Sequence, residues 1–101
     1  MQVENEIVIM TDTVRVRHLS LDAGEATPWH FHSHVVDNMY CLSGQIEVQT
    51  RAPDQNYSLE TCQRCEVING RVHRVVNAGH GPAVYLLIQG VGEYDFNIVD
   101  T

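Results

Sequence analysis

Apolar and polar positions alternate with a period of two along much of this chain, in runs too short for an ordinary helix. Val14 with Val16, Ile46 with Val48, Val72 with Val76, and Phe96 with Ile98 each mark such a run. Side chains two apart on a strand share a face, so each run predicts a strand that turns one side toward a core. Turn signals separate the runs: Asp22-Ala23-Gly24, Ser43-Gly44, Ala52-Pro53-Asp54-Gln55-Asn56, Asn69-Gly70, the stretch from Asn77 to Pro82, and Gly90 with Gly92. This punctuation predicts about ten short strands, and no window sustains a 3.6-residue period. The expected class is all-β, a sandwich or barrel.

Two runs break the alternation. Ala83-Val84-Tyr85-Leu86-Leu87-Ile88 is apolar at both parities, which predicts a strand whose two faces both avoid water. Ile7-Val8-Ile9-Met10 is similarly continuous. In one small sandwich these segments need a second covering surface, supplied by each other, by a partner subunit, or by both. A homodimer is the expectation.

Composition narrows the setting. At 101 residues the chain supports one domain, residues 1–101, with a single modest core. Acidic residues outnumber Lys and Arg by 13 to 6, for a formal charge of −7, and no basic stripe interrupts them. Nucleic acid and anionic membrane are therefore poor partners, since both need clustered positive charge. The longest apolar run is far too short to span a bilayer, and the first residues are acidic rather than a cationic leader. Cys41, Cys62 and Cys65 are an odd set without a regular framework, which fits a reducing compartment. The chain reads as soluble, unexported and cytoplasmic.

Candidate chemistry is concentrated in histidine. His30, His32 and His34 alternate with Phe31 and Ser33 in a segment that reads as a strand, so His30 and His32 present two imidazoles to one point. His73, in the later run Arg71-Val72-His73-Arg74-Val75-Val76, can complete the set from a facing strand. The spacing predicts a metal site inside a β-structure.

Written out, the first segment is Gly24-x5-His30-x-His32-x4-Asp37-x6-Gly44, and the second is Gly70-x2-His73-x3-Asn77. Together they resemble the two motifs of the cupin family, in order and in spacing, from Gly24 to Asn77. The resemblance implies a double-stranded β-helix, the jelly-roll barrel. It also implies one divalent transition metal, held at the positions matching His30, His32, Asp37 and His73. Imidazole with a carboxylate suits iron, manganese, nickel or zinc, and affinity order alone does not choose among them.

Three departures from the family pattern stand out. Asp37 occupies the glutamate position with one methylene fewer, which leaves His34 as an alternative fourth ligand. Cys62 and Ile68 replace a glycine and a proline that shape a turn. The stretch from Gln45 to Thr61 between the motifs is short, as in a minimal cupin.

The remaining residues have plainer readings. Cys62-Gln63-Arg64-Cys65 lacks the partner pair of a zinc site and the strand-to-helix junction of a redox motif, and reads as incidental. His18 and His80 read as surface residues. Met39, Cys41, Tyr85 and Leu87 are candidate cavity walls, as is Tyr40, while Glu47, Gln49 and Arg51 form a solvated face unless that strand is reversed. His34 is the best candidate general base, because its ordinary pKa lies near neutrality. The leading expectation is a metal-dependent enzyme of dioxygenase, isomerase or lyase type acting on a small organic metabolite. The rival is a non-catalytic module that binds or senses a small molecule in the same pocket.

Overall fold

The computed structural model describes residues 3–100 and contains ten strands among them. They are β1 (Val3–Met10), β2 (Arg15–Leu21), β3 (His30–Phe31), β4 (Val36–Ser43), β5 (Ile46–Thr50), β6 (Gln55–Leu59), β7 (Arg64–Val67), β8 (His73–Val76), β9 (Ala83–Gly90) and β10 (Asn97–Ile98). No helix among these residues is long and apolar enough to cross a membrane.

The strands form two antiparallel sheets, ordered β1-β2-β9-β4-β7 and β10-β3-β8-β5-β6. From β2 onward the chain passes from one sheet to the other at almost every connection, only β5 to β6 staying within a sheet. This is the jelly-roll winding of a double-stranded β-helix. Each crossing needs a sharp corner. At Gly44 (φ 74°) an added Cβ would lie 2.6 Å from the Pro82 carbonyl oxygen, so only glycine fits the turn between β4 and β5.

Period-two burial holds on the central strands. Ile46, Val48 and Thr50 are buried on β5, and Ala83, Tyr85, Leu87 and Gln89 on β9. With Leu19, Leu21, Met39, Cys41, Leu59, Cys65, Val67 and Val75, the apolar members form one cluster drawn from both sheets. Full burial of a residue such as Leu21 contributes about 1.5–3 kcal/mol.

The continuous apolar runs behave differently from expectation. On β9 the second face, Val84, Leu86 and Ile88, is half-buried rather than sealed. Its neighbours in register are His18 and Tyr40 beside Leu86, and Val16 and Asn38 beside Ile88, and such long side chains cover part of the strand without a further layer. The β1 run does not meet β9, because β2 lies between them. Ile7, Val8, Ile9 and Met10 are about half exposed on the edge of their sheet.

Two motif positions have structural roles. Asn77 is fully buried, and its amide donates to the carbonyls of Leu21 and Gly81 at 2.9 and 2.8 Å while its oxygen accepts from the Gly79 N–H at 3.0 Å. It therefore builds the turn that leads into β9. Cys62 has φ 74°, the left-handed conformation that favours glycine, and its N–H donates to the Cys41 carbonyl at 2.8 Å. Cys62→Gly should stabilise the protein by about 0.5–1 kcal/mol, relief of strain outweighing the added chain entropy. A higher urea midpoint under reducing conditions checks this, and an unchanged or lower midpoint contradicts it.

Candidate metal centre

Two cross-strand pairs face each other across the sandwich. In the second sheet His30 of β3 lies opposite His73 of β8, and in the first sheet Asp37 of β4 lies opposite Gln89 of β9. His32 follows β3 directly and shares the face of His30. His30, His32, Asp37 and His73 are all buried, and one ligand atom from each lies within 4.8 Å of the others. Atoms this close would allow one ion to be held by the three imidazoles and the carboxylate together.

The protons on these rings are fixed by their outer neighbours. His30 Nδ1 lies 2.7 Å from the Pro28 carbonyl, His32 Nδ1 2.6 Å from that of Asp95, and His73 Nδ1 2.8 Å from that of Arg71. A carbonyl only accepts, so each Nδ1 carries its hydrogen and each neutral ring turns an Nε2 lone pair away from the backbone. This is how histidine ligands are commonly oriented by groups behind them. His73 Nε2 and His32 Nε2 lie 3.0 and 3.3 Å from Asp37 Oδ2. The shorter aspartate thus reaches the imidazoles despite its missing methylene.

Gln89 completes the inner ring. Its Nε2 donates to Asp37 Oδ1 at 3.0 Å and lies 3.3 Å from His32 Nε2, and its Oε1 accepts from Arg17 Nη2 at 2.8 Å. Because arginine only donates and a carboxylate only accepts, this amide orientation is the one that satisfies both ends.

Electrostatics follow from this packing. Burial disfavours the charge on His30, His73 beside it adds to the effect, and its pKa falls to about 4. Burial also acts against a charged His32, but the hydrogen bond and negative charge of Asp37 outweigh it, and its pKa is raised above 6.5. For Asp37 burial favours the neutral acid, yet hydrogen bonds from His32 and His73 prevail and hold the carboxyl well below the usual range.

The group opens on a cavity of about 240 Å³. Met39, Tyr85 and Leu87 line it as expected, joined by Leu19, Val75 and Phe96, whereas Cys41 is a core residue that does not reach it. Phe96 stacks on the His30 ring at 4.5 Å, and Tyr94 lies 5.5 Å from that of His32. The segment before β10 therefore closes one side of the site.

Other expectations fare differently. The strand holding His30 ends at Phe31 and the chain bends at Ser33 and His34, so His34 is exposed, outside both the ligand group and the cavity lining. The expected common face for all three alternating histidines fails at that bend. Gln49 and Arg51 face away from the site: Gln49 accepts from Arg74 Nε at 2.7 Å and Arg51 lies 3.8 Å over Trp29. Cys62 is exposed and Cys65 buried, both as free thiols. Gln89, Arg17, Tyr94 and Phe96 were not singled out by sequence reasoning. Gln89 alone had a visible signal, as the one polar residue in phase with Ala83, Tyr85 and Leu87.

Residues 17–89 match the model of the cupin domain, so this chain belongs to the cupin family. No curated protein sequence matches it. Among solved structures it is similar to a conserved protein with a double-stranded β-helix domain from Klebsiella pneumoniae, with TM-score 0.84 and 21% identity over 99% of this chain and 86% of that one. It is also similar to a variant of oxalate decarboxylase from Bacillus subtilis, with TM-score 0.78 and 20% identity over 87% of this chain and 24% of that one. An oxalate oxidase gives TM-score 0.79 and 16% identity over 97% of this chain and 54% of that one. At these identities the likeness concerns the fold.

An ion entering the group must displace the proton that His32 holds through its raised pKa, whereas His30 is already neutral above about pH 5. Metal affinity should therefore rise with pH, by up to about tenfold per unit below the folded pKa of His32, and level off above it. Calorimetry in buffers of different ionisation enthalpy should find about one proton released per ion near pH 6. A pH-independent affinity between pH 5.5 and 7 would contradict the arrangement.

Proposed function

We propose that the protein binds one divalent transition metal ion, iron, manganese, nickel or zinc, through His30, His32, Asp37 and His73. It uses that ion as an enzyme of dioxygenase, isomerase or lyase type on a small organic metabolite. The observation that carries the reading is the set of three Nδ1–carbonyl hydrogen bonds, which direct three Nε2 atoms and a carboxylate to one point beside a cavity. A hydrogen-bonded core histidine needs no such convergence. When bound, the ion supplies Lewis acidity and, for a redox-active metal, electron transfer.

The chain's own residues do the rest. The Pro28, Asp95 and Arg71 carbonyls hold a proton on each Nδ1, so Nε2 is the nitrogen that faces Asp37 and would face the ion. Gln89 holds Asp37 Oδ1, leaving Oδ2 for the ion. Phe96 covers the His30 ring, and the apolar walls suit the carbon skeleton of a ligand.

A second reading, a non-catalytic binding module, draws on one observation. Among the described residues lining the cavity, no His, Asp or Glu stands outside the ligand set to act as a general base. The two readings separate by turnover of a metabolite panel with each metal.

The metal itself is tested more simply. The correct ion should raise the melting temperature by mass action, and His73→Ala should abolish both the shift and stoichiometric binding. Protein that stays metal-free after reconstitution with all four ions sinks the proposal.

The same reading includes a homodimer, supported by the half-exposed Ile7, Val8, Ile9 and Met10 on an unpaired sheet edge. Sedimentation at micromolar concentration should give twice the monomer mass, and a monomer there removes the dimer.

A further inference from the structure

Beside the ligand group, the cavity lining carries a charge that the group does not use. Among the described residues, Arg17 is the only basic residue other than histidine lining the cavity, in a protein of net charge −7. Its Nη2 is engaged by Gln89, but its Nε is buried and has no hydrogen-bond partner. No described carboxylate pairs with it. A buried cationic donor left unpaired is costly, and a carboxylate is the acceptor whose geometry answers a guanidinium.

A second polar group lies on the same wall. Tyr85 is 1% exposed and lines the cavity, where its hydroxyl can donate to a ligand. Arg17 and Asp37 are the charges that act on this phenol. Arg15 adds positive charge behind Tyr94, its guanidinium 3.8 Å over the ring that Arg17 approaches to 5.8 Å.

We propose that Arg17 determines the substrate class of this cavity by binding the carboxylate of a small organic acid, with the Tyr85 hydroxyl as a second donor. The Gln89 amide alone separates Arg17 from Asp37, so a ligand held by Arg17 lies beside the metal group. The walls between are Leu19, Met39, Val75, Leu87 and Phe96, which suit an apolar body. A cavity of about 240 Å³ has room for about eight waters, hence an acid of about eight to ten non-hydrogen atoms. This assignment rests on the metal reading only for what happens at the ligand's other end.

The test compares each acid with its uncharged primary amide, benzoate with benzamide and hexanoate with hexanamide. Titrations use the full chain, both metal-free and loaded with zinc. Wild-type protein should bind at least one acid about tenfold or more tightly than its amide. Arg17→Met should reduce that preference by about tenfold in both forms while zinc affinity stays within about threefold, because Arg17 is not a ligand. Arg17→Lys, which keeps the charge but loses the fork, should retain part of the preference, and it replaces Arg17→Met if that variant fails to fold. Absence of binding by either acid, equal binding of acid and amide, or a preference unchanged in the variant overturns the assignment. Failure of zinc to bind overturns the proposed metal site instead, and the metal-free titrations still decide on Arg17.

Discussion

A carboxylate with 1% of its surface exposed must be compensated where it stands, and Asp37 is the point on which the two sheets depend. Its Oδ1 accepts from Gln89 in its own sheet, and its Oδ2 faces His73 and His32 across the sandwich. Loss of one partner from such a group typically costs about 3–5 kcal/mol, because the remaining charge stays buried. The same compensation that lets the sheets close also gathers a group that could hold a cation. A proton on His32 and a metal ion would be two answers to one local excess of negative charge.

Winding supplies the geometry. Because the chain alternates between sheets, β3 and β8 become neighbours although more than forty residues separate them, and β4 pairs with β9 over a similar span. Each pair sets two inward side chains opposite one another, and sheet packing brings the pairs face to face. The segment from Gly90 to Phe96 then returns over the site, with the Asp95 carbonyl fixing His32 and Phe96 covering His30. Ligand positions from His30 to His73 thus converge through strand pairing.

The strand pattern was legible because alternation at β5 and the turn residues around it are local signals. It misled where chemistry faces inward. On β2 the apolar Val16 lies on the parity opposite to Arg17, Leu19 and Leu21, and on β8 the buried positions are His73 and Val75, not Val76. A strand that donates a polar residue to a cavity inverts the usual reading of which face is the core. The site was legible as far as the spacing of His30, His32, Asp37 and His73 reaches. His34 obeyed the same alternation yet faces solvent, since alternation holds only while the strand continues, and β3 stops at Phe31.

By itself the sequence determined the all-β class, the corners and the histidine spacing, because these follow from side-chain periodicity and from backbone preferences of single residues. Tertiary structure alone decided that Gln89 would join Asp37 to Arg17, that Tyr94 and Phe96 would close over the imidazoles, and that the backbone carbonyls would fix the ring tautomers. Those facts depend on which strands become neighbours and which faces they share. Register and sheet order are set by the packing of the whole core, and no local stretch of residues carries that information.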